Sequence, residues 1–244
     1  MNERRYKHPT ILEAVFELGF QSAKPWGISS FVEFAGLAKE RGYPLIKDAA
    51  QSFQVTFPVT GGSAPTMMPV ASRVQTWNEE GTQLWQASPE MFAANQRAPY
   101  KGWEAFLPHI LEGLELYRKV ASPEQAEVLK LQYVNRIEVG VDKNSPLDFV
   151  TFLPPEIQYA DGIVNFVCRT EQFFVDGEQM AVTSTRDLSA TIGVAVILDI
   201  LYTATKPNLE QSALISTIGK AHSRVISAFE KSITDALRER MEPV

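Results

Sequence analysis

A chain of 244 residues with 45% apolar and 21% charged side chains can bury a sizeable core and has the composition of a globular protein rather than a disordered one. Its formal net charge of −6 argues against a broad basic surface for duplex DNA, so a nucleic acid is not the expected partner. The single cysteine, Cys168, excludes an intrachain disulfide, and no apolar run reaches the ~20 residues of a membrane helix, so we expect a cytoplasmic protein without membrane embedding.

The N-terminal segment combines a short basic arm with a strongly alternating strand. The arm carries four basic or titratable side chains, Arg4, Arg5, Lys7 and His8. We interpret it as a solvated, flexible terminus that leaves room for a local basic patch. Residues 11–20 then alternate between apolar side chains on one face and polar ones, including Glu13 and Glu17, on the other. This pattern predicts a strand with one dry face.

Two helices and a hairpin are predicted in the rest of the first half. The helices cover about 29–41 and 102–117, where apolar residues recur at helical spacing. Pro108 is expected to bend or break the second helix. Residues 72–77 and 82–87 flank a four-residue connection that ends in glycine, which predicts a hairpin.

Residues 127–142 form the segment around which the fold is organised, because their side chains alternate most cleanly. The apolar positions are the odd ones, Leu129, Leu131, Tyr133, Ile137, Val139 and Val141. Asn135 interrupts this dry face, and a buried amide must find hydrogen-bond partners or cost roughly 1–3 kcal/mol. The segment is therefore predicted to be a central strand with a polar group inside the core.

The remainder of the chain predicts a meander followed by a long helix. Three strands are expected, at 162–174, 178–187 and 191–202, with Asp176-Gly177 as a hairpin turn between the first two. Apolar residues then recur at steps of three and four from 207 to 241. A single helix of that length would extend about 45 Å, so it crosses the whole protein, breaks near Gly219 or pairs with a partner.

These elements predict an α+β fold. It consists of a mostly antiparallel sheet, or sheets, of about seven to nine strands and three main helices, the longest of them C-terminal. The chain is expected to be a single domain over 1–244, or two intertwined halves, 9–121 and 122–244, because each half consists of strands closed by a helix.

Sequence motifs that carry catalytic chemistry are not found. The glycines do not form a phosphate-binding loop and the three histidines lack zinc-site spacing, so no cofactor or metal is predicted. Glu13 and Glu17 lie ~13 Å apart along one strand, farther than the roughly 5–9.5 Å that separates the paired carboxylates of glycosidases. No residue is assigned a catalytic role.

Three polar residues stand inside otherwise apolar patterns, namely Asn135, Asp199 and His222. They either converge on a ligand pocket or satisfy separate hydrogen bonds, with His222 facing solvent. The second interpretation is favoured.

Three segments resemble the motifs of a sporadically distributed family of uncharacterised bacterial proteins of about this length. They are Pro9 followed by Glu13-Ala14-Val15-Phe16-Glu17-Leu18, Tyr100-x-Gly102-Trp103, and Leu131-x-Tyr133-Val134-Asn135-Arg136-Ile137. The resemblance covers most of the chain and implies a shared fold but no particular reaction. It implies that Glu13, Glu17, Asn135 and Arg136 are the site residues, and the scattered occurrence of the family implies an accessory or defence locus.

The leading hypothesis is a non-catalytic interaction or regulatory protein that binds a protein partner, or a second copy as a homodimer, through the C-terminal helix. A first alternative is a small-ligand or nucleotide sensor whose pocket lies between the sheet and that helix and uses Tyr133, Asn135 and Arg136. A second alternative is a metal-dependent nuclease or other hydrolase that uses Glu13 or Glu17 with Arg136. Whether the chain is an enzyme is left open, although the missing motifs favour a binding protein.

Overall fold

A computed structural model describes most of the chain, in the ranges 4–21, 26–48, 53–56, 66–69, 73–140, 146–153, 165–190 and 194–244. The strands are β1 Ile11–Phe20, β2 Leu45–Asp48, β3 Phe53–Thr56, β4 Thr66–Pro69, β5 Val74–Trp77, β6 Gln83–Ser88, β7 Met91–Arg97, β8 Ala126–Gly140, β9 Val167–Phe173, β10 Gln179–Arg186 and β11 Val194–Thr205. The helices are α1 Ile28–Glu40, α2 Trp103–Ala121, α3 Gln211–Ser232 and α4 Asp235–Met241, and a 3-10 turn covers Pro146–Asp148.

Nine of these strands form one antiparallel sheet in the order β2-β5-β6-β7-β1-β8-β11-β10-β9, and β3 pairs separately with β4. This arrangement confirms the α+β class, and α3 is the longest described helix. None of the described helices combines the length and the apolar composition that crossing a membrane requires.

The strand order is symmetric about the central pair β1 and β8, in which Phe16 lies opposite Leu131. On one side β1 pairs with β7, the last strand before α2, and on the other β8 pairs with β11, the last strand before α3. Each half of the chain thus brings its first and last strands together beside the centre. The division into halves at 9–121 and 122–244 stays a prediction.

The core lies on the face of the sheet that the helices cover. The even positions of β1 and the odd positions of β8 point to this face, because side chains alternate along a strand. The helices α1 and α2 pack against the β5, β6 and β7 side, while α3 packs against β8 and β11. The apolar stripe of α3, including Leu214, Ile218 and Val225, is buried in this way.

An aromatic stack holds α2 against the sheet. Trp85 of β6 lies between Tyr43 and His109, with its ring centroid 3.8 Å from that of Tyr43 and 5.3 Å from that of His109. The indole Nε1 of Trp85 donates a hydrogen bond of 3.0 Å to the carbonyl oxygen of His109. The tryptophan is completely buried, so both its position and the height of α2 above the sheet are fixed.

The opposite face carries a chain of amide hydrogen bonds across four strands. Gln75 donates to Gln86 at 3.0 Å, Gln86 donates to Asn95 at 2.9 Å, and Asn95 donates to the Glu13 carboxylate at 2.9 Å. No described helix packs on this face. Its polar groups instead satisfy one another across β5, β6, β7 and β1.

Three details differ from the sequence-based expectations. Pro108 does not break α2, which continues from Trp103 to Ala121; that it bends the helix stays a prediction. The predicted C-terminal helix of 207–241 is divided into α3 and α4, because Ile233 is extended and pairs with Val150. Strand β7 was not expected at all.

Gln96 of β7 tests the cost of an unsatisfied amide. It is fully buried on the helix-covered face, and neither its nitrogen nor its oxygen has a hydrogen-bond partner among the described residues. We expect Gln96→Leu to raise the free energy of unfolding by about 1 kcal/mol, since an apolar side chain removes the desolvation penalty. Gln86→Leu, which breaks the amide chain of the other face, is expected to lower it. Urea unfolding of both variants measures the difference, and a loss of stability in Gln96→Leu would contradict the argument.

Candidate functional site

Tyr133 and Asn135 of β8 form the floor of a cleft. They are two residues apart and therefore share a face of the sheet, the one that the helices cover. Asn135 accepts a hydrogen bond of 3.1 Å from the hydroxyl of Thr10 and donates one of 3.2 Å to the carbonyl oxygen of Leu198. The buried amide therefore has the partners that its position requires. It ties the residues before β1 to the centre of the sheet.

A polar and aromatic cluster rises from Tyr133 to the helices. The hydroxyl of Tyr133 lies 2.9 Å from the hydroxyl of Tyr100 and 2.9 Å from Nδ1 of His222 on α3. The imidazole of His222 stacks on Trp103, the first residue of α2, with ring centroids 3.8 Å apart and planes within 3°. The prediction that His222 faces solvent is wrong, because the side chain is buried in this cluster.

The N-terminal arm closes one side of the cleft. Its backbone pairs with the other end of the described chain: Lys7 N–H donates to Glu242 O at 3.0 Å, and Val244 N–H donates to Arg5 O at 2.9 Å. The Tyr6 hydroxyl donates to Glu230 of α3 at 2.6 Å, and burial together with this carboxylate raises the pKa of Tyr6 to about 12. The arm is thus a paired wall of the site, not the flexible terminus that its composition predicts.

The cleft has a volume of about 320 Å³ and is bounded by the arm, residues 100–104, β8 and α3. Four cationic side chains line it, Arg4, Arg5, Lys7 and Lys101. The carboxylates among its lining side chains are those of Glu104 and Glu230, and they form ion pairs with Arg5 and Arg238, respectively. The lining side chains thus include four cations and two carboxylates, and Lys7 and Lys101 pair with Glu242 and Glu80, which do not line the cleft.

The amino end of α2 lies at the wall of the same cleft. Gly102 precedes the helix with a φ of +93°, a conformation that favours glycine. Because glycine has no side chain, no side-chain hydrogen bond caps the first turn. The first backbone N–H groups of a helix and its dipole attract anions. Gly102, Trp103 and Glu104 all line the cleft, which adds positive potential to that of the arm.

The five candidate residues predicted from sequence do not form one site. Tyr133 and Asn135 line the cleft, whereas Glu13, Glu17 and Arg136 lie on the opposite face of the sheet, since they occupy the alternate positions of β1 and β8.

Each residue on the opposite face has its own partner. Glu17 accepts a hydrogen bond of 2.8 Å from Lys130, Glu13 accepts one from Asn95, and Arg136 binds Asp187 at 2.7 Å and also Glu138. Hydrogen bonds from Ser189 and from Arg136 lower the pKa of Asp187 to about 2. Asp199, also on this face, accepts from Gln132, and burial raises the pKa of Asp199 above its ordinary value.

Sequence reasoning did not assign Tyr6, Tyr100 or Trp103 to a site. Tyr6 belongs to a basic arm that looks like a disordered end, so no local signal marks it. Tyr100 and Trp103 carry a signal of another kind, since they flank Gly102 in a segment that resembles a family motif.

A comparison of the chain with models of known protein families finds no match, and a comparison with curated proteins finds none either.

Proposed function

We propose that this is a non-catalytic, cytoplasmic sensor protein that binds a small anionic molecule with a planar ring, such as a nucleotide, in the cleft between the sheet and α3. The observation that carries the proposal is the combination of an aromatic floor with a cationic rim in one cleft. Apolar and aromatic walls with a few fixed polar groups are typical of small-molecule sites.

The size and electrostatics of the cleft favour this class of ligand. Its volume of about 320 Å³ is at the lower end of the range of ligand pockets, roughly 300–1,000 Å³. The rings of Tyr100 and Trp103 line the cleft and offer edges or a free face to a base. Arg4 and Lys101, whose partners within the chain are Glu230 and Glu80, are the cations that would bind a phosphate. The amino end of α2 would add backbone N–H groups to the phosphate site.

Ligand binding in this cleft would act on parts of the chain that are distant in sequence. The arm, the start of α2, the centre of β8 and the middle of α3 all contribute to its wall. A ligand that contacts several of them stabilises their mutual positions, because it binds only the arranged state. This coupling favours a regulatory role, in which the occupied cleft changes how the surface binds a partner.

The segments that carry the family resemblance also meet here. Pro9 of the first segment, Tyr100, Gly102 and Trp103 of the second, and Tyr133 and Asn135 of the third line the cleft. We propose on this basis that the chain is a member of that family of bacterial proteins, and that the shared motifs mark this cleft. A role in an accessory or defence locus follows from the resemblance.

The test is a binding screen by thermal shift, followed by calorimetry, with adenine and guanine mononucleotides, dinucleotides and cyclic nucleotides. At least one nucleotide is expected to raise the melting temperature of the native chain. Lys101→Gln removes a rim cation and is expected to weaken that binding about tenfold, which corresponds to ~1.4 kcal/mol. Lys119→Gln, which removes an exposed lysine of α2 outside the cleft, is the control. No stabilisation by any nucleotide, or equal weakening in both variants, would contradict the proposal.

Protein binding is a second candidate function, and an exposed apolar patch favours it. Ile28 and Val32 of α1 and Ile46 of β2 are 84%, 64% and 56% exposed and border one shallow groove. Homodimer formation through the C-terminal helix stays a prediction, and since the apolar stripe of α3 is buried, it would have to use the polar side of α3. The hydrolase alternative would have to operate on the opposite face, where Glu13, Glu17 and Arg136 lie.

A further inference from the structure

Strand β9 forms one edge of the nine-stranded sheet, and no described residue pairs with its outer side. The N–H of Phe174 donates to Glu178 O at 2.8 Å, so the backbone groups of Phe174 point towards β10. The backbone groups of successive residues in an antiparallel strand point to opposite sides. Four residues of β9 therefore direct both N–H and C=O away from the sheet, namely Val167, Arg169, Glu171 and Phe173.

This edge lacks most of the features that keep exposed strands apart. It is paired with β10 in a continuous register without a bulge, and it contains neither proline nor lysine. Large apolar side chains mark its two ends, where Val167 is 67% and Phe173 is 68% exposed. The two charged side chains of β9, Arg169 and Glu171, cancel, so the edge carries no net repulsion for an identical strand.

The sequence of β9 is complementary to itself when read in the opposite direction. Arg169 and Glu171 are equidistant from Thr170, as are Val167 and Phe173. An antiparallel copy centred on Thr170 would place Arg169 opposite Glu171 and Val167 opposite Phe173, at both ends of a twofold axis. Opposite charges that face each other across strands are stabilising, whereas like charges are destabilising.

Other registers are disfavoured. A shift of two residues in one direction places Arg169 opposite a second Arg169, and a shift in the other direction places Glu171 opposite a second Glu171. A shift of one residue would bring the apolar and charged side chains to the wrong face. The charge pattern thus specifies the centre of the pair as well as its direction.

We propose that β9 pairs with β9 of a second copy of this chain, antiparallel and centred on Thr170, so that two sheets become one continuous sheet in a twofold-symmetric dimer. Each outward-facing pair contributes two backbone hydrogen bonds. Within one chain, Arg169 binds the Glu171 carboxylate at 2.8 Å and the Thr183 hydroxyl at 3.0 Å. In the dimer the guanidinium exchanges its own Glu171 for Glu171 of the partner subunit, which faces it directly. This surface is distinct from the cleft and from α3.

Charge-reversed variants test the interface in solution. Light scattering after size exclusion is expected to give a dimer for the native chain over micromolar concentrations. Arg169→Glu and Glu171→Arg, each alone, place like charges opposite and are expected to raise the dimer dissociation constant about tenfold or more. A mixture of the two variants is expected to form heterodimers, because every facing pair is then of opposite charge. If the mixture forms dimers, misfolding is also excluded as the reason why each variant alone dimerises weakly.

A cysteine crosslink tests the register. In a Cys168→Ser background, Thr170→Cys places two thiols directly opposite each other, at a separation that a disulfide can bridge. Gln172→Cys on the same face is the control, since residue 172 faces residue 168 and not its own copy. Oxidation is expected to crosslink the first variant and not the second. A monomeric native chain, a dimer that Arg169→Glu leaves unchanged, or crosslinking at 172 in place of 170 would overturn the proposal.

Discussion

Gly113→Ala is expected to lower the free energy of unfolding by about 1–3 kcal/mol, although alanine is the better helix former. A Cβ atom at this position would lie 2.3 Å from Nε1 and 2.5 Å from Cδ1 of Trp85. The indole cannot move aside easily, because it is completely buried, stacked on Tyr43 and hydrogen-bonded to the carbonyl oxygen of His109. The gain of up to ~1 kcal/mol in helix propensity is therefore outweighed by overpacking.

Gly219→Ala provides a matched control for this result. Gly219 is also in the middle of a long helix, but nothing lies within 4 Å of the position that its Cβ would take. Only the helix propensity then changes, so this variant is expected to be more stable by up to ~1 kcal/mol. Chemical unfolding of both variants measures the two effects. Equal changes in the two helices would contradict the close approach of α2 to Trp85.

Acidification is expected to destabilise the protein through His109. Burial lowers the pKa of His109 from 6.5 to about 4. Its Nε2 lies 3.2 Å from the carbonyl oxygen of Asn95, which can only accept, so Nε2 carries the hydrogen and Nδ1 accepts from the Tyr43 hydroxyl at 2.8 Å. A second proton, on Nδ1, would require the Tyr43 hydroxyl to turn and accept in place of donating, and the charged ring would be poorly solvated because it is buried.

The direction of the pH dependence follows from this difference. Above pH 6.5 neither state binds the proton, so the full stability is present. Between pH 6.5 and 4, His109 binds a proton in the unfolded chain but not in the folded chain, so the free energy of unfolding falls as the pH falls. Below pH 4 both states bind it and the loss levels off at about 3 kcal/mol.

Unfolding curves of the native chain and of His109→Gln between pH 8 and pH 4 measure this contribution. The variant is expected to lose less stability on acidification than the native chain over the interval from pH 6.5 to 4. His8→Gln makes the same replacement at an exposed histidine and serves as the control. Parallel curves for the native chain and His109→Gln would exclude His109 as the source of acid sensitivity.

Strands β1 and β8, each with one dry face, were predictable from sequence, whereas β7, which is buried on both faces, was not. β1 and β8 alternate in burial along their length, as their side chains indicate. In β7 all five residues from Phe92 to Gln96 are buried, so the side chains do not alternate. The neighbouring amides Asn95 and Gln96 are also residue types that are common in loops. Long-range pairing of β7 with β1 overrides this local signal.

The break between α3 and α4 was obscured by periodicity. Ile233 and Leu237 continue the apolar spacing of α3, although Thr234 caps a new helix by accepting a hydrogen bond from Leu237 N–H. The chain changes direction here because Ile233 pairs with Val150, and Thr234 N–H donates to Phe149 O at 3.0 Å. Those contacts come from a segment more than eighty residues earlier, so no local sequence pattern could predict them.

The candidate site shows a different limit. Asn135 and Arg136 are neighbours in sequence, but a strand sends neighbouring side chains to opposite faces, so one motif cannot place both in one cleft. The alternation of β8 already assigned Asn135 to the dry face beside Tyr133. The rest of the cleft, from Tyr6 to Trp103 and His222, is assembled by tertiary packing, which a single sequence does not reveal.

The central position of the β1 and β8 pair affects how the chain can mature on the ribosome. Strand β1 is synthesised before β8, its neighbour in the sheet, and more than a hundred residues separate the two. A nascent chain that has reached the end of α2 can complete β1 on the β7 side only, and it exposes a ten-residue edge rich in apolar side chains. Until β8 has been synthesised, that edge stays unpaired, and an unpaired apolar edge favours association with other chains.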